Sequence, residues 1–396
     1  MMIEPKTRGF ICTTAHPAGC YENVRLQAEY VKSRPPIHGK KKVLVIGAST
    51  GYGLASRIAS AFGCGAATLG VIFDKPAAGS RTATAGWYNT AAFEQLAAQE
   101  GLYAKTVNGD GFSSQVKEQV MEHIRSDLGK VDMVVYSLAA PRRTMPDGAV
   151  YSSVLKTVGQ PYTNKTIDLK TNTVSQVTVP SATPEEVEAT VKVMGGEDWM
   201  DWMAALSQAG LLEEDAVTLA YSYIGPALTH AIYLDGSIGQ AKAHLYQTAC
   251  RINQRFPGVR AYISVNKALV TQSSAAIPIV PLYISILYKV MKERGVHEDC
   301  IQQIDRMYRD LLFVPQPVTD EKGRLRPDNL ELDPQIQQEV SAVWERITTE
   351  SIRSDADIDG YWEDFFRMFG FGLPGVDYTL DQDPQVEIPS LSGREG

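Results

Sequence analysis

Val43-Leu44-Val45-Ile46-Gly47-Ala48-Ser49-Thr50-Gly51-Tyr52-Gly53-Leu54-Ala55 decides how this chain folds. Four apolar, mostly β-branched residues predict a fully buried strand. Glycines follow at 47, 51 and 53, and small residues (Ala55, Ser56, Ala59, Ser60, Ala61) continue at helical spacing. A strand that turns through glycines into a helix aims free backbone N–H groups at one point. The positive end of the helix dipole favours a pyrophosphate there. A glycine loop alone is weak evidence. With the strand before it and the helix after it, this loop reads as a cofactor cradle rather than an ordinary tight turn.

The pattern outside the loop supports this. Thr68–Phe73 is a second buried strand ending at Asp74, and a loop over 76–86 leads to an Ala-rich helix around Asn89–Glu100. Tyr103–Asn108 reads as a third strand ending near Asp110, Ser114–Leu128 as a helix, and Val131–Leu138 as a fourth strand. Alternating strands and helices imply an α/β fold, a Rossmann-type, doubly wound parallel sheet. Residues 141–182, rich in Thr, Val, Pro and Gly, break the rhythm and predict a β-hairpin insertion. Thr183, Pro184 and Glu186 then form a capping box that starts a helix. Another helix is expected over Trp199–Ala209. A fifth strand is expected over Ala216–Ile224, a helix over Ile238–Arg255 and a sixth strand over Val259–Val265. The tail from about 295 reads as helical and charged, then irregular beyond Pro374. With no internal repeat and no long linker, the expectation is one elaborated Rossmann-type domain over 1–396. It divides into a first cofactor-binding half (43–140), the insertion (141–182), a catalytic and substrate-binding half (183–295) and a C-terminal helical extension (296–396).

A 44% hydrophobic and 21% charged composition over 396 residues is that of a globular protein with ample core. A net charge of -8, with no basic run longer than Lys40-Lys41-Lys42, argues against nucleic-acid binding. The five cysteines form no C-x-x-C pair, which fits free thiols in a reducing cytosol. His16 and Cys20 stand four apart, but two ligands without further partners seldom hold zinc, so they read as structural and no metal is expected. Met1–Lys6 has no apolar core of signal-peptide type, and Ala275–Leu287 is too short to span a bilayer and holds two prolines. A cytoplasmic protein without membrane association is the expectation.

Asp74 stands where the adenosine ribose lies in this fold. A carboxylate there accepts from the ribose hydroxyls and repels a 2′-phosphate, which favours NADH over NADPH. Its competing reading is a solvated loop residue beside Lys75. Asp110, Leu138 and Ala139 also stand at carboxyl ends of strands, where ligands of open α/β sheets bind; sheet packing is an equal reading for the last two. Downstream, Tyr223, Tyr233 and Lys242 form a second constellation. A tyrosine hydroxyl can donate to an oxygen that gains negative charge, and a nearby ammonium helps a phenol of pKa ~10 carry or pass charge. Nine positions are two and a half turns of one continuous helix, which would place Tyr233 and Lys242 on opposite sides. Asp235-Gly236-Ser237 therefore predicts a break between them.

Gly47–Ala55, Ala85–Asn89, Val135–Ala139, Val193–Trp199, the Y-x8-K pair and Val270–Gln272 occur together. In these motifs the chain resembles the FabV-type enoyl-acyl-carrier-protein reductases and their relatives, the trans-2-enoyl-CoA reductases, from about residue 2 to 380. The glycine spacing G-x3-G-x-G is similar to that of short-chain dehydrogenases, but Y-x8-K separates this family from them (Y-x3-K) and from shorter-spaced enoyl reductases (Y-x6-K). The resemblance implies NADH-dependent reduction of enoyl-CoA or enoyl-acyl carrier protein in fatty-acid elongation, by a monomer with a small lid near the cofactor. It implies Tyr233 as proton donor, Tyr223 as substrate contact and Lys242 as cofactor contact. NADH contacts would come from Gly47, Ala48, Ser49, Thr50, Gly51, Tyr52, Phe73, Asp74, Asp110, Gly111, Leu138, Ala139, Val270, Thr271 and Gln272. Two positions depart from the family: Asp74 where Glu is usual, and Gly111 where Ala is usual. Ala275–Leu287 reads both as a core helix begun by prolines and as an apolar wall for an acyl chain. The rival readings are a carbonyl-reducing short-chain dehydrogenase and a dinucleotide-sensing regulator without catalysis.

Overall fold

The computed structural model describes residues 1–8, 11–271, 274 and 277–393. Six strands make one parallel sheet: β1 (Lys42–Ile46), β2 (Ala67–Ile72), β3 (Ala104–Asn108), β4 (Val131–Tyr136), β5 (Leu212–Ser222) and β6 (Arg260–Val265). Their order is β6-β5-β4-β1-β2-β3. The strand order reverses between β1 and β4, and a doubly wound sheet opens its ligand crevice at the carboxyl ends of such a pair.

β1 explains why an uninterrupted apolar run was needed. Val43 and Val45 point into one core, shared with the helices Pro17–Lys32 and Ala85–Gln99, while Leu44 and Ile46 enter the opposite core with Trp199, Trp202 and Leu245. Both faces are covered, so neither set can be polar. The small residues after the glycines let the helix Gly51–Ile58 lie close on the sheet; Ala55 and Ala59 are fully buried. A third core joins Ile167, Leu169 and Val179 of the insertion to Tyr283, Trp344, Tyr361 and Phe365, and both Tyr223 and Tyr233 pack against it.

Some boundaries differ from the sequence expectation, each for a physical reason. The insertion holds two hairpins rather than one, Arg142–Thr144 with Val150–Ser152 and Tyr162–Asp168 with Thr173–Val179. The second is anchored by Ile167 and Val179 in the third core. The helix expected from Asn89 begins at Ala85, because Trp87 and Tyr88 are fixed from outside: Trp87 donates to the Val386 carbonyl at 2.7 Å and Tyr88 to the Pro384 carbonyl at 2.8 Å. β4 stops at Tyr136 and β5 at Ser222, two residues short, and β5 begins earlier, through an irregular register between Leu212 and Val217. The Thr183 capping box forms, with Thr183 and Glu186 each accepting the other's backbone N–H, a device worth about 1 kcal/mol.

His16 caps the helix Pro17–Lys32 by accepting the Gly19 N–H, and Cys20 lies buried within that helix. Among the described residues no group of three or more His, Cys, Asp or Glu is arranged to hold a metal, and no helix is long and apolar enough to cross a membrane.

Candidate active site

After β1 the chain turns at Gly47 with φ +85°, and a Cβ there would stand 2.5 Å from the Ser137 carbonyl oxygen. Only glycine permits both the backbone angle and the contact with the end of β4. Gly53, in the first helical turn, would place a Cβ 1.9 Å from the Gly47 carbonyl oxygen. The turn and the helix therefore close on each other with no room for a side chain. Thr50 is the N-cap in extended conformation and its side chain makes no cap hydrogen bond. Among the described residues, no protein acceptor takes the N–H groups of Gly51, Tyr52 or Gly53. Unpaired first-turn donors at a helix N-terminus are a ready anion site. Tyr52 sends its side chain away from this point, and its hydroxyl donates to the Lys267 carbonyl at 2.9 Å.

Asp74 follows β2 and is held from two sides. Asn108 at the end of β3 accepts the Asp74 N–H and donates to its carbonyl, both at 3.0 Å. The carboxylate accepts from Thr84 Oγ1 at 2.7 Å and lies against Gly86, where a Cβ would come within 2.5 Å of it. Burial raises the Asp74 pKa, opposed by hydrogen bonds from Thr84 and Ser49. Phe73 beside it is exposed. After the neighbouring strand β3, Asp110 accepts the Phe112 N–H at 3.0 Å, and a Cβ on Gly111 would lie 3.2 Å from Leu138. The loop is braced by a buried pair: Lys117 donates to Asp198 at 2.6 Å and to the Phe112 carbonyl at 2.9 Å. Leu138 is half-buried and Ala139 exposed, just beyond β4.

The tyrosines gather beyond the carboxyl end of β5. Tyr233 is the last residue of the short helix Ala227–Tyr233, and the helix Ser237–Arg255 begins afresh after Gly236, so the chain breaks between Tyr233 and Lys242 as their spacing requires. Lys242 Nζ donates to the Tyr221 carbonyl at 2.9 Å, two residues before Tyr223. Burial pulls its ammonium down to about 8. The Tyr223 and Tyr233 rings meet edge to face, centroids 4.6 Å apart at 87°. Tyr223 donates to Glu331 Oε1 at 2.9 Å, and Tyr283 donates to the same oxygen at 2.6 Å. The Tyr233 hydroxyl makes no hydrogen bond among the described residues. Burial, reinforced by the Glu331 charge, pushes its pKa well above the phenol range, so it is a neutral donor.

Val270 is buried and donates its N–H to the Tyr288 hydroxyl at 3.0 Å, while Thr271 and Ser274 exchange hydrogen bonds. Gln272, Ala275 and Ala276 lie outside the described residues. The helix Val280–Glu293 carries Pro281 in its first turn and buries Leu282, Ile286 and Leu287.

A family model described as the trans-2-enoyl-CoA reductase catalytic region matches residues 81–313. One for the NAD(P)H binding domain of trans-2-enoyl-CoA reductase matches 2–79, and one for an enoyl reductase FAD binding domain matches 319–382. The trans-2-enoyl-CoA reductase [NADH] of Ruminiclostridium cellulolyticum is 53% identical over 394 residues, covering 99% of this chain and 100% of that one. This chain belongs to the trans-2-enoyl-CoA reductase family. Members named for the other carrier are equally similar: the enoyl-[acyl-carrier-protein] reductase [NADH] of Flavobacterium johnsoniae is 55% identical over 395 residues, covering 99% and 100%. The crystal structure of Treponema denticola trans-2-enoyl-CoA reductase in complex with NAD superposes with a TM-score of 0.94 at 48% identity, covering 96% of this chain and 98% of that one.

The segment 319–382 of this family member does not fit a flavin. Among its described residues there is no strand-to-helix glycine turn, and Trp344, Tyr361 and Phe365, which a ring system would have to displace, fill the third core. What the segment brings to the tyrosine cluster is Glu331, a residue whose sequence neighbours Leu330 and Leu332 give no sign of it. Thr84 and Asn108 were likewise not legible as partners of Asp74, although Asn108 stands where β3 ends.

Proposed function

We propose that this chain reduces the C2=C3 bond of trans-2-enoyl thioesters, carried on CoA or acyl carrier protein, to saturated acyl thioesters with NADH, the last step of a fatty-acid elongation cycle. The observation that carries the reading is the neutral hydroxyl of Tyr233, without a partner among the described residues, packed against Tyr223 and sharing a sheet edge with a dinucleotide cradle. Bound NADH supplies the hydride that adds to C3. Negative charge then collects on the thioester oxygen, where Tyr233 donates a hydrogen bond or proton before C2 is protonated. Lys242, held by the Tyr221 carbonyl, serves the nicotinamide ribose. The free N–H groups of Gly51, Tyr52 and Gly53, with Ser49 and Thr50 beside them, take the pyrophosphate. Asp74 takes the ribose hydroxyls and thereby prefers NADH. Asp110 with Gly111, Leu138 with Ala139, and Val270 with Thr271 complete the cofactor wall. The hairpin Tyr162–Asp168/Thr173–Val179 acts as the lid, and the enzyme works as a cytoplasmic monomer.

NADH oxidation in the presence of crotonyl-CoA tests the reading. Wild-type turnover and a loss of at least about hundredfold in Tyr233→Phe are expected, the range of one positioned acid. An inactive wild type, or a fully active Tyr233→Phe, contradicts it.

A further inference from the structure

Glu331 has no exposed surface, and burying a carboxylate costs several kcal/mol unless donors replace its water. Here they do. Oε1 accepts from Tyr223 at 2.9 Å and Tyr283 at 2.6 Å, and Oε2 accepts the Ala268 N–H at 2.7 Å. Gln337 fixes the segment by donating to the Glu331 carbonyl at 2.6 Å. Burial raises the Glu331 pKa, and the hydrogen bonds from Tyr283, Ala268 and Tyr223 and the charge of Lys267 oppose that rise and favour the carboxylate. Lys267 is also buried, and its Nζ donates to the Ala268 carbonyl at 3.0 Å. An apolar residue would fill this volume at less cost, so the arrangement needs a reason beyond packing.

An ionised carboxylate only accepts hydrogen bonds, so the Tyr223 proton is committed to Glu331 and the Tyr223 oxygen offers only lone pairs to the rest of the site. Tyr233, edge to face with the same ring, keeps its proton free. We propose that Glu331 is a positioning residue that divides the work of the two tyrosines, fixing Tyr223 as an acceptor and ring support and leaving Tyr233 as the one of the pair that donates to the thioester oxygen. The proposal rests on the enoyl-reduction reading above. It gives the segment 319–382 a place in the chemistry through a side chain of its own.

The test is a double-mutant cycle on the full chain, with crotonyl-CoA and NADH. Glu331→Gln offers an amide that can donate to Tyr223 and so releases its proton. Its kcat is expected to fall about ten- to hundredfold, the range of one hydrogen bond to a charged group, with NADH Kd within about twofold of wild type by fluorescence titration. In a Tyr223→Phe background the same change is expected to alter kcat less than about twofold, because the residue acts through that hydroxyl. Should Glu331→Gln fail to fold, Glu331→Asp, which withdraws the carboxylate by one methylene, enters the same cycle with the same expectation. Wild-type kcat in the Glu331 variant, or losses that multiply in the double variant, overturns the proposal while leaving the enoyl-reduction reading intact. A wild type with no enoyl-CoA turnover removes both.

Discussion

The two ends of the crevice are built from different materials. After β1 the cradle is almost wholly backbone: a glycine at positive φ, a second glycine pressed on its carbonyl, and a helix whose first N–H groups are unpaired among the described residues. Its specificity lies in the absence of side chains. At the tyrosine cluster the working parts are all side chains, drawn from the ends of β5 and of the helix Ala227–Tyr233, from the helix Val280–Glu293, and from the turn that carries Glu331. One end is rigid because nothing can be added to it. The other is rigid because Tyr223 and Tyr283 are both tied to Glu331, while the Tyr233 hydroxyl has no partner among the described residues. A backbone site tolerates almost no substitution, whereas a side-chain site can be tuned one group at a time.

Substitutions can break this comparison. The largest effect is expected of Gly53→Ala, whose Cβ would lie 1.9 Å from the Gly47 carbonyl oxygen. Relieving such overpacking costs roughly 3 kcal/mol and reshapes the cradle. NADH Kd measured by fluorescence titration should rise more than about hundredfold, together with a lower Tm. A variant that binds NADH normally would show that the cradle yields like a side-chain site.

Lys242 comes next, because its ammonium titrates near working pH. Burial lowers it from an ordinary 10.5 to about 8, so between those values the folded chain loses a proton that the unfolded chain retains. Stability from this group therefore rises with pH across that window. Binding runs the other way. The contact proposed between this ammonium and the cofactor would be lost as pH climbs through about 8, so NADH Kd should weaken up to about tenfold per pH unit above it. Lys242→Met should give weaker binding that no longer changes with pH. A wild-type Kd flat from pH 7 to pH 10 (roughly the range in which a lysine so lowered titrates) would remove Lys242 from the cofactor contact. The smallest effect is expected at Asp74, half-exposed and shared with Thr84. Asp74→Ser should raise the NADPH-to-NADH ratio of kcat/KM about tenfold, the worth of one charged hydrogen bond. An unchanged ratio would make the carboxylate a loop residue.

The same contrast governs what the amino-acid sequence disclosed. Backbone geometry is written locally, so three glycines between an apolar run and a small-residue run located the cradle, and Asp74 followed from the end of the next strand. The break at Asp235–Ser237 was legible because helical spacing could not join Tyr233 to Lys242 on one face. Partners that meet only in three dimensions left no such mark. Glu331 lies 108 residues from Tyr223, and nothing between Leu330 and Leu332 distinguishes it from a surface acid. The start of the helix Ala85–Gln99 was obscured because its anchors, Pro384 and Val386, are nearly three hundred residues away. The second hairpin was missed because composition reports a β-rich stretch without counting its turns.

Those distant anchors belong to a strap. Beyond Pro384 and Val386, Ser390 receives two hydrogen bonds' worth of attention from the fully buried Glu94, which accepts its N–H and its hydroxyl at 2.8 Å, and Ser390 Oγ accepts the Thr106 N–H of β3 at 3.0 Å. β3 is an outer strand of the sheet, and unpaired edge groups are templates for association with other chains. During synthesis Thr106 is added 284 residues before Ser390. At ribosomal rates of about 5–20 residues per second, that edge stands uncovered for roughly 15–60 seconds. The strap thus makes an early-made strand depend on a segment made long after it, and the interval between the two is the time in which the edge can pair with another chain.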